Sequence, residues 1–153
     1  MYKMLILMLL AGASSTGCAS DRARLLAAHK ETQASATLVR SFYDDVWNEG
    51  RGDAAEKYLA PDFVRHDHRA GTPPPGPEGQ ALIVQQFRAG FPDARLTIDQ
   101  LVAEGPLVAA RWTITGTHTG EWNGLAPTGT TIQYSGMTLF RLAGGKIVET
   151  WNH

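Results

Sequence analysis

The chain is predicted to be α+β, with N-terminal helices packed on a strongly curved antiparallel sheet that encloses a pocket. Three observations predict this. Apolar residues recur at three- and four-residue steps as far as Phe87, the period shortens to two after Ala94, and Gly105-Pro106 and Gly144-Gly145 separate consecutive alternating runs. Helices first and strands afterwards argue against the alternating order of a parallel sheet. Helices on one face of a bent sheet leave a pocket between the two layers.

The elements follow in chain order. Lys3, the apolar stretch Met4 to Ala13 and Ser14-Ser15-Thr16-Gly17 before Cys18 have the layout of a secretory signal, with an apolar run too short to span a bilayer. A small residue before the chain's one cysteine resembles a bacterial lipoprotein signal, with Cys18 as the lipidated residue, although Ser15 stands where leucine is usual. The expectation is an exported protein of the cell envelope, lipid-anchored, with signal 1–18, tether 19–36 and domain 37–153. Val39, Phe42, Tyr43, Val46 and Trp47 form the stripe of an amphipathic helix, with Gly50 able to end it. Asp53 is placed to N-cap a second short helix that Pro61 stops. Phe63 to His68 reads as extended, and Pro73-Pro74-Pro75 breaks regular structure because proline has no amide donor. Leu82, Ile83, Gln86 and Phe87 mark a third helix. Strands follow around Leu96–Val102, Val108–Thr115, Ile132–Leu142 and Lys146–Trp151.

Composition bounds the function. At 153 residues, with 43% hydrophobic and 19% charged residues, the chain suits one globular domain. A net charge of -1 gives no basic field for nucleic acid. One cysteine excludes an intrachain disulfide. Nucleotide-loop, nucleophile-elbow, Cys-His and zinc motifs are all missing, so the chemistry calls for no cofactor.

Two residue groups stand out. In an extended segment His66 and His68 share one side and Asp67 takes the other; two histidines can begin a metal site but define no third ligand, so no metal is expected. Tyr43, Trp47, Trp112, Tyr134 and Trp151 are either core or the walls of an apolar ligand pocket. Asn48 is either a polar ligand contact or part of the helix stop.

A family becomes visible at Trp47-Asn48-Glu49-Gly50, Ala60-Pro61-Asp62-Phe63-Val64 with His66, and Phe91-Pro92-Asp93. It continues at Gly116-Thr117-His118-Thr119-Gly120, Ala126-Pro127-Thr128-Gly129 and Gly145-Lys146-Ile147-Val148-Glu149 with Trp151. In this order the phrases resemble the SnoaL-like polyketide cyclase (ester cyclase) family, from about Thr37 to Trp151. The resemblance implies the cone-shaped nuclear-transport-factor-2-like fold, a hydrophobic small-molecule ligand and a homodimer paired through the sheet. It implies His118 as a pocket histidine able to exchange a proton with a carbonyl substrate, His66 as a pocket-wall partner, and Trp47 and Trp151 turned to the cavity. The family's acid/base aspartate follows the Pro-Thr-Gly turn; here Thr130-Thr131-Ile132-Gln133-Tyr134-Ser135 holds no carboxylate. The expected activity is proton-transfer chemistry on an apolar carbonyl compound. A non-catalytic envelope protein that binds a hydrophobic ligand is the alternative.

Overall fold

The computed structural model describes residues 16–66 and 73–153. The apolar run Met4 to Ala13, Ser14, Ser15, Asp67 and His68 lie outside the described residues. Cys18 falls in the first turn of the first helix, its side chain likewise outside them.

Helix α1 runs Thr16–Phe42 and widens into a π-helical turn at Tyr43–Asn48. The stretch expected as a tether is thus the front of α1, exposed from 19 to 31, and the stripe at Val39, Phe42, Tyr43 and Val46 carries the burial. Gly50 ends the helix at φ 68°. A short 3-10 turn, Gly52–Ala54, leads into α2, Ala55–Tyr58. Asp53 lies within that turn and caps nothing: Ala54 is the N-cap of α2 and makes no side-chain cap bond. Asp45 instead ties the region together, accepting from Tyr58 Oη, Arg51 and Lys57.

Strand β1, Leu59–His66, is followed by α3, Gly76–Gly90. Strands β2 (Arg95–Glu104), β3 (Leu107–Thr117), β4 (Thr131–Ala143) and β5 (Lys146–Asn152) complete the chain. Gly144 and Gly145 both take positive φ, a conformation glycine adopts without the Cβ penalty, and so close the β4–β5 hairpin tightly. The sheet order is β1-β5-β4-β3-β2. Four strands are antiparallel as expected, but β1 pairs with β5 in parallel, so the sheet is mixed and five-stranded. A parallel pair needs a long crossover, and here everything from α3 to β4 lies between the partners. No turn signal announces such a pair.

Helices α1 and α3 cover one sheet face. Val108, Ala110 and Ile114 of β3, Phe140 and Leu142 of β4, and Ile147 of β5 are buried beneath them with Val39, Val46, Val84 and Phe87. Each fully buried side chain of this size contributes roughly 1.5–3 kcal/mol. The opposite face is open, and Met137 and Leu139 are exposed there. Register shifts interrupt β2–β3 at Ile98/Gln100 and β4–β5 at Arg141/Leu142. Among the described residues, no helix is long and apolar enough to cross a membrane.

Candidate active site

A cleft opens between the helices and the inner sheet face, with an empty volume of about 460 Å³ including its open mouth. Tyr43 and Trp47 enter from the end of α1, one turn apart on the apolar stripe. Trp112 and Ile114 project from β3, and Tyr134 from the facing register position of Ile114 on β4. Trp112 and Tyr134 meet edge to face at 5.8 Å between ring centroids. Phe42, Phe63 and Phe140 complete an aromatic wall. Trp112 fits because its register partner is Gly136, where a Cβ would stand 2.6 Å from the indole ring.

The polar lining is concentrated on β1, α3, β4 and β5. Trp112 Nε1 donates to Thr138 Oγ1 at 3.0 Å, and Thr138 donates to Asn152 Oδ1 at 2.9 Å. Arg65 Nη1 donates to Gln80 Oε1 at 3.0 Å. Two buried polar atoms of this lining have no hydrogen-bond partner among the described residues, Gln80 Nε2 and Thr150 Oγ1. Burial raises the Tyr43 phenol far above its ordinary range, with the Thr138 hydroxyl and the Arg65 charge pulling the other way. Tyr43 is therefore a neutral O–H in the cleft. Among the described residues, no carboxylate and no imidazole lines it.

Four of the predicted ligand contacts, Tyr43, Trp47, Trp112 and Tyr134, line the cleft together. The other four residues lie elsewhere. Asn48 does not reach it, because its amide is used up on the backbone: Oδ1 accepts from Leu96 N at 2.8 Å and Nδ2 donates to Leu96 O at 3.0 Å. This clamp fastens the helix end to β2. Arg88 reinforces it by donating to the carbonyls of Trp47, Asn48 and Pro92.

His66 and Trp151 are placed on the outer sheet face, which corrects their expected place in the cavity wall. Their rings stack at 5.2 Å, and His66 Nε2 lies 2.7 Å from Glu149 Oε1. The cause is phase. Phe63 takes the inner position on β1, so Arg65 follows it inward and His66 turns out. On β5, Arg141 faces Glu149 while Leu142 faces Ile147, leaving Val148 as an extra residue. That bulge shifts the alternation, and Thr150 and Asn152 point inward in place of Trp151. Arg141 pairs with Glu149 at 2.5 Å, and Arg111 pairs with Asp99 at 2.8 Å. Donors from His66 and Arg141 hold the Glu149 carboxyl below its ordinary value.

His118 sits one residue past β3, in phase with Trp112 and Ile114, but within a closed corner. It is 6% exposed, stacks on Phe91 at 5.1 Å, and Nδ1 lies 3.1 Å from Thr128 Oγ1. Its Nε2 is buried without a partner. The surrounding motifs build this corner. Asp93 accepts from Thr117 N at 2.7 Å and Thr117 Oγ1 at 2.8 Å, and Thr119 N and Gly120 N both donate to Gly90 O. Gly120 is required by closeness: a Cβ there would lie 1.8 Å from Ala89 O. Among the described residues, no three metal-ligating side chains cluster.

Arg65, Gln80, Thr138, Thr150 and Asn152 are the polar lining residues that sequence reasoning missed. Phe63 on an alternating segment was the available signal for Arg65.

The family model of the SnoaL-like polyketide cyclases matches residues 37–153. Nogalonic acid methyl ester cyclase of Streptomyces nogalater is 32% identical over 105 residues, covering 66% of this chain and 76% of the relative. Among solved structures, IdmH of Streptomyces antibioticus, a candidate polyketide cyclase, is 32% identical with a TM-score of 0.67, covering 78% of this chain and 90% of its own. TsrD of Streptomyces laurentii shares the fold at 23% identity and a TM-score of 0.70, covering 78% of this chain and 87% of its own. With the helix-covered sheet and the aromatic cleft in place, the chain belongs to the SnoaL-like polyketide cyclase family.

Proposed function

We propose that this chain takes an apolar, carbonyl-bearing small molecule into the cleft and acts on it by proton transfer, in a cyclisation, isomerisation or hydration. One observation carries the reading: hydrogen-bond donors from Arg65, Gln80 and Tyr43 share a cleft with an aromatic wall. Donors so placed polarise a carbonyl and stabilise the enolate that follows proton removal. His118 Nε2, buried and unpartnered in the closed corner beside the cleft, is the proton acceptor in this reading once the Phe91 corner opens toward the ligand. The relative's name, a methyl ester cyclase, is in keeping with a carbonyl substrate.

Proton exchange tests it. With 1-tetralone in deuterated buffer, mass spectrometry should find solvent deuterium next to the carbonyl well above the blank. His118→Gln, which keeps most of the side-chain volume, should lower that rate by about 100-fold. Saturable quenching of Trp47 and Trp112 fluorescence without any exchange supports the second reading, a non-catalytic binder of hydrophobic ligands. The absence of carboxylate and imidazole from the described lining favours that alternative.

The setting is part of the proposal. The signal-like start supports export and lipid anchoring through Cys18, with exposed α1 residues as the stalk. The strand bulges support a sheet bent into a cone, and exposed Met137 and Leu139 support pairing of two copies across the open face. Detergent extraction followed by sedimentation tests both ideas. Recovery of the protein without detergent, or only as monomer, sinks the anchor or the dimer respectively.

A further inference from the structure

The corner that encloses His118 treats its two ring nitrogens differently. Nδ1 lies 3.1 Å from Thr128 Oγ1, while Nε2 is buried with no hydrogen-bond partner among the described residues. The backbone holds this arrangement. His118 N donates to Thr130 O at 3.0 Å and Gly129 N donates to His118 O at 2.9 Å, so the Pro127-Thr128-Gly129 turn is tied to the histidine by two bonds. Thr128 is itself exposed, and its Oγ1 also accepts from Thr130 N at 3.3 Å. Phe91 stacks on the imidazole and fixes the plane of the ring.

The base form of imidazole carries one ring proton, and the bond made at one nitrogen decides where that proton sits. Were Thr128 to donate to a bare Nδ1, the proton would stand on Nε2 as a buried donor with nothing to accept it. Folded proteins seldom keep such an orphan. A proton on Nδ1 instead has the Thr128 oxygen as acceptor, and the threonine's own O–H is left to face solvent. We propose that Thr128 is a positioning residue: by accepting from Nδ1–H it holds His118 in the tautomer whose Nε2 takes up a proton. A surface hydroxyl that touches no substrate thus sets the state of a buried base. This inference rests on His118 being the base of the proposed reaction.

Proton–nitrogen correlation spectra of the imidazoles in the full chain, taken in mildly alkaline buffer, test it directly. The His118 signals are those that disappear in His118→Gln. Wild-type His118 should carry its proton on Nδ1. Thr128→Val, nearly the same shape at an exposed position, should move the proton toward Nε2, the tautomer that an unconstrained histidine side chain prefers. It should also slow deuterium exchange into 1-tetralone by about fivefold, the population shift that one neutral hydrogen bond commands. Thr128→Ser, which returns the hydroxyl, should restore both readings. A wild-type proton on Nε2, or a Thr128→Val spectrum that matches wild type, overturns the assignment. Exchange that keeps its wild-type rate while the tautomer moves overturns it too. If the wild-type chain catalyses no exchange, the proposed reaction fails and the positioning role falls with it, whatever the spectra show.

Discussion

Two halves of one strand face behave differently. Trp112 and Ile114 of β3 look into open space, whereas His118, in phase with them and just past the strand end, is sealed beneath Phe91. The sealing comes from backbone contact: the loop after β3 lies on the last turn of α3 through two bonds to Gly90 O, and Trp122 packs edge-on against Phe87 and Phe91. The open half is held apart by Gly136, which gives the Trp112 indole somewhere to lie. Conserving space in one place and eliminating it in the other uses the same residue type, glycine, against different neighbours. Small side chains alone therefore do not mark a pocket.

Substitutions can break this contrast in graded steps. The largest effect is expected at the closed end, where Gly120→Val drives a branched side chain into the Ala89 carbonyl. It should cost about 3 kcal/mol or more, since rigid backbone must move, and chemical denaturation will measure it. An unchanged unfolding midpoint would mean that the loop does not sit on α3. At the open end, the Cβ of Gly136→Ala meets the Trp112 indole and, at 2.9 Å, the carbonyl of His153. A ring and a strand end must give there, rather than the last turn of a helix. The stability loss should be about 1 kcal/mol, with ligand affinity lowered by about tenfold as the indole tips into the cleft. Fluorescence titration checks it, and full affinity would show that Trp112 does not bound the ligand. The smallest effect belongs to the outer face. The Glu149 carboxyl is held below its ordinary value by His66 and Arg141, so its contribution is present above the ordinary carboxylate range and lost as pH falls through the lowered one. Glu149→Gln should flatten that acid limb of the melting temperature and leave ligand affinity in the cleft unaltered.

The sequence made some of this legible and concealed the rest for definite reasons. Tyr43 and Trp47 were readable because a helical stripe aims both at the sheet. Trp112 and Tyr134 were readable because plain antiparallel alternation holds along β3 and β4. Trp151 was misplaced by a single extra residue, Val148, that reverses the alternation on β5. His66 was placed in the pocket wall by the family resemblance, although Phe63 had already claimed the inner phase. Arg65 and Thr150 were hidden more deeply, since each looks like a surface residue until a parallel pairing sets them side by side. The Phe91-Pro92-Asp93 and Gly116–Gly120 phrases carried the family resemblance, and their residues spend most of their polar groups on joining α3 to β3.

The β1–β5 pairing has a consequence for how the molecule reaches its final form. Leu59 and Ile147 are register partners, yet the chain between them forms α3 and three strands. The β2–β3–β4 meander can assemble from neighbouring segments, while β1 has no strand to join until β5 has docked on β4. During synthesis Arg65 would therefore wait, attached to helices but not to the sheet, until the last strand emerges and brings Thr150 beside it. The cleft is then the last part of the fold to be completed, and ligand present at that moment would favour closure over slippage of the edge.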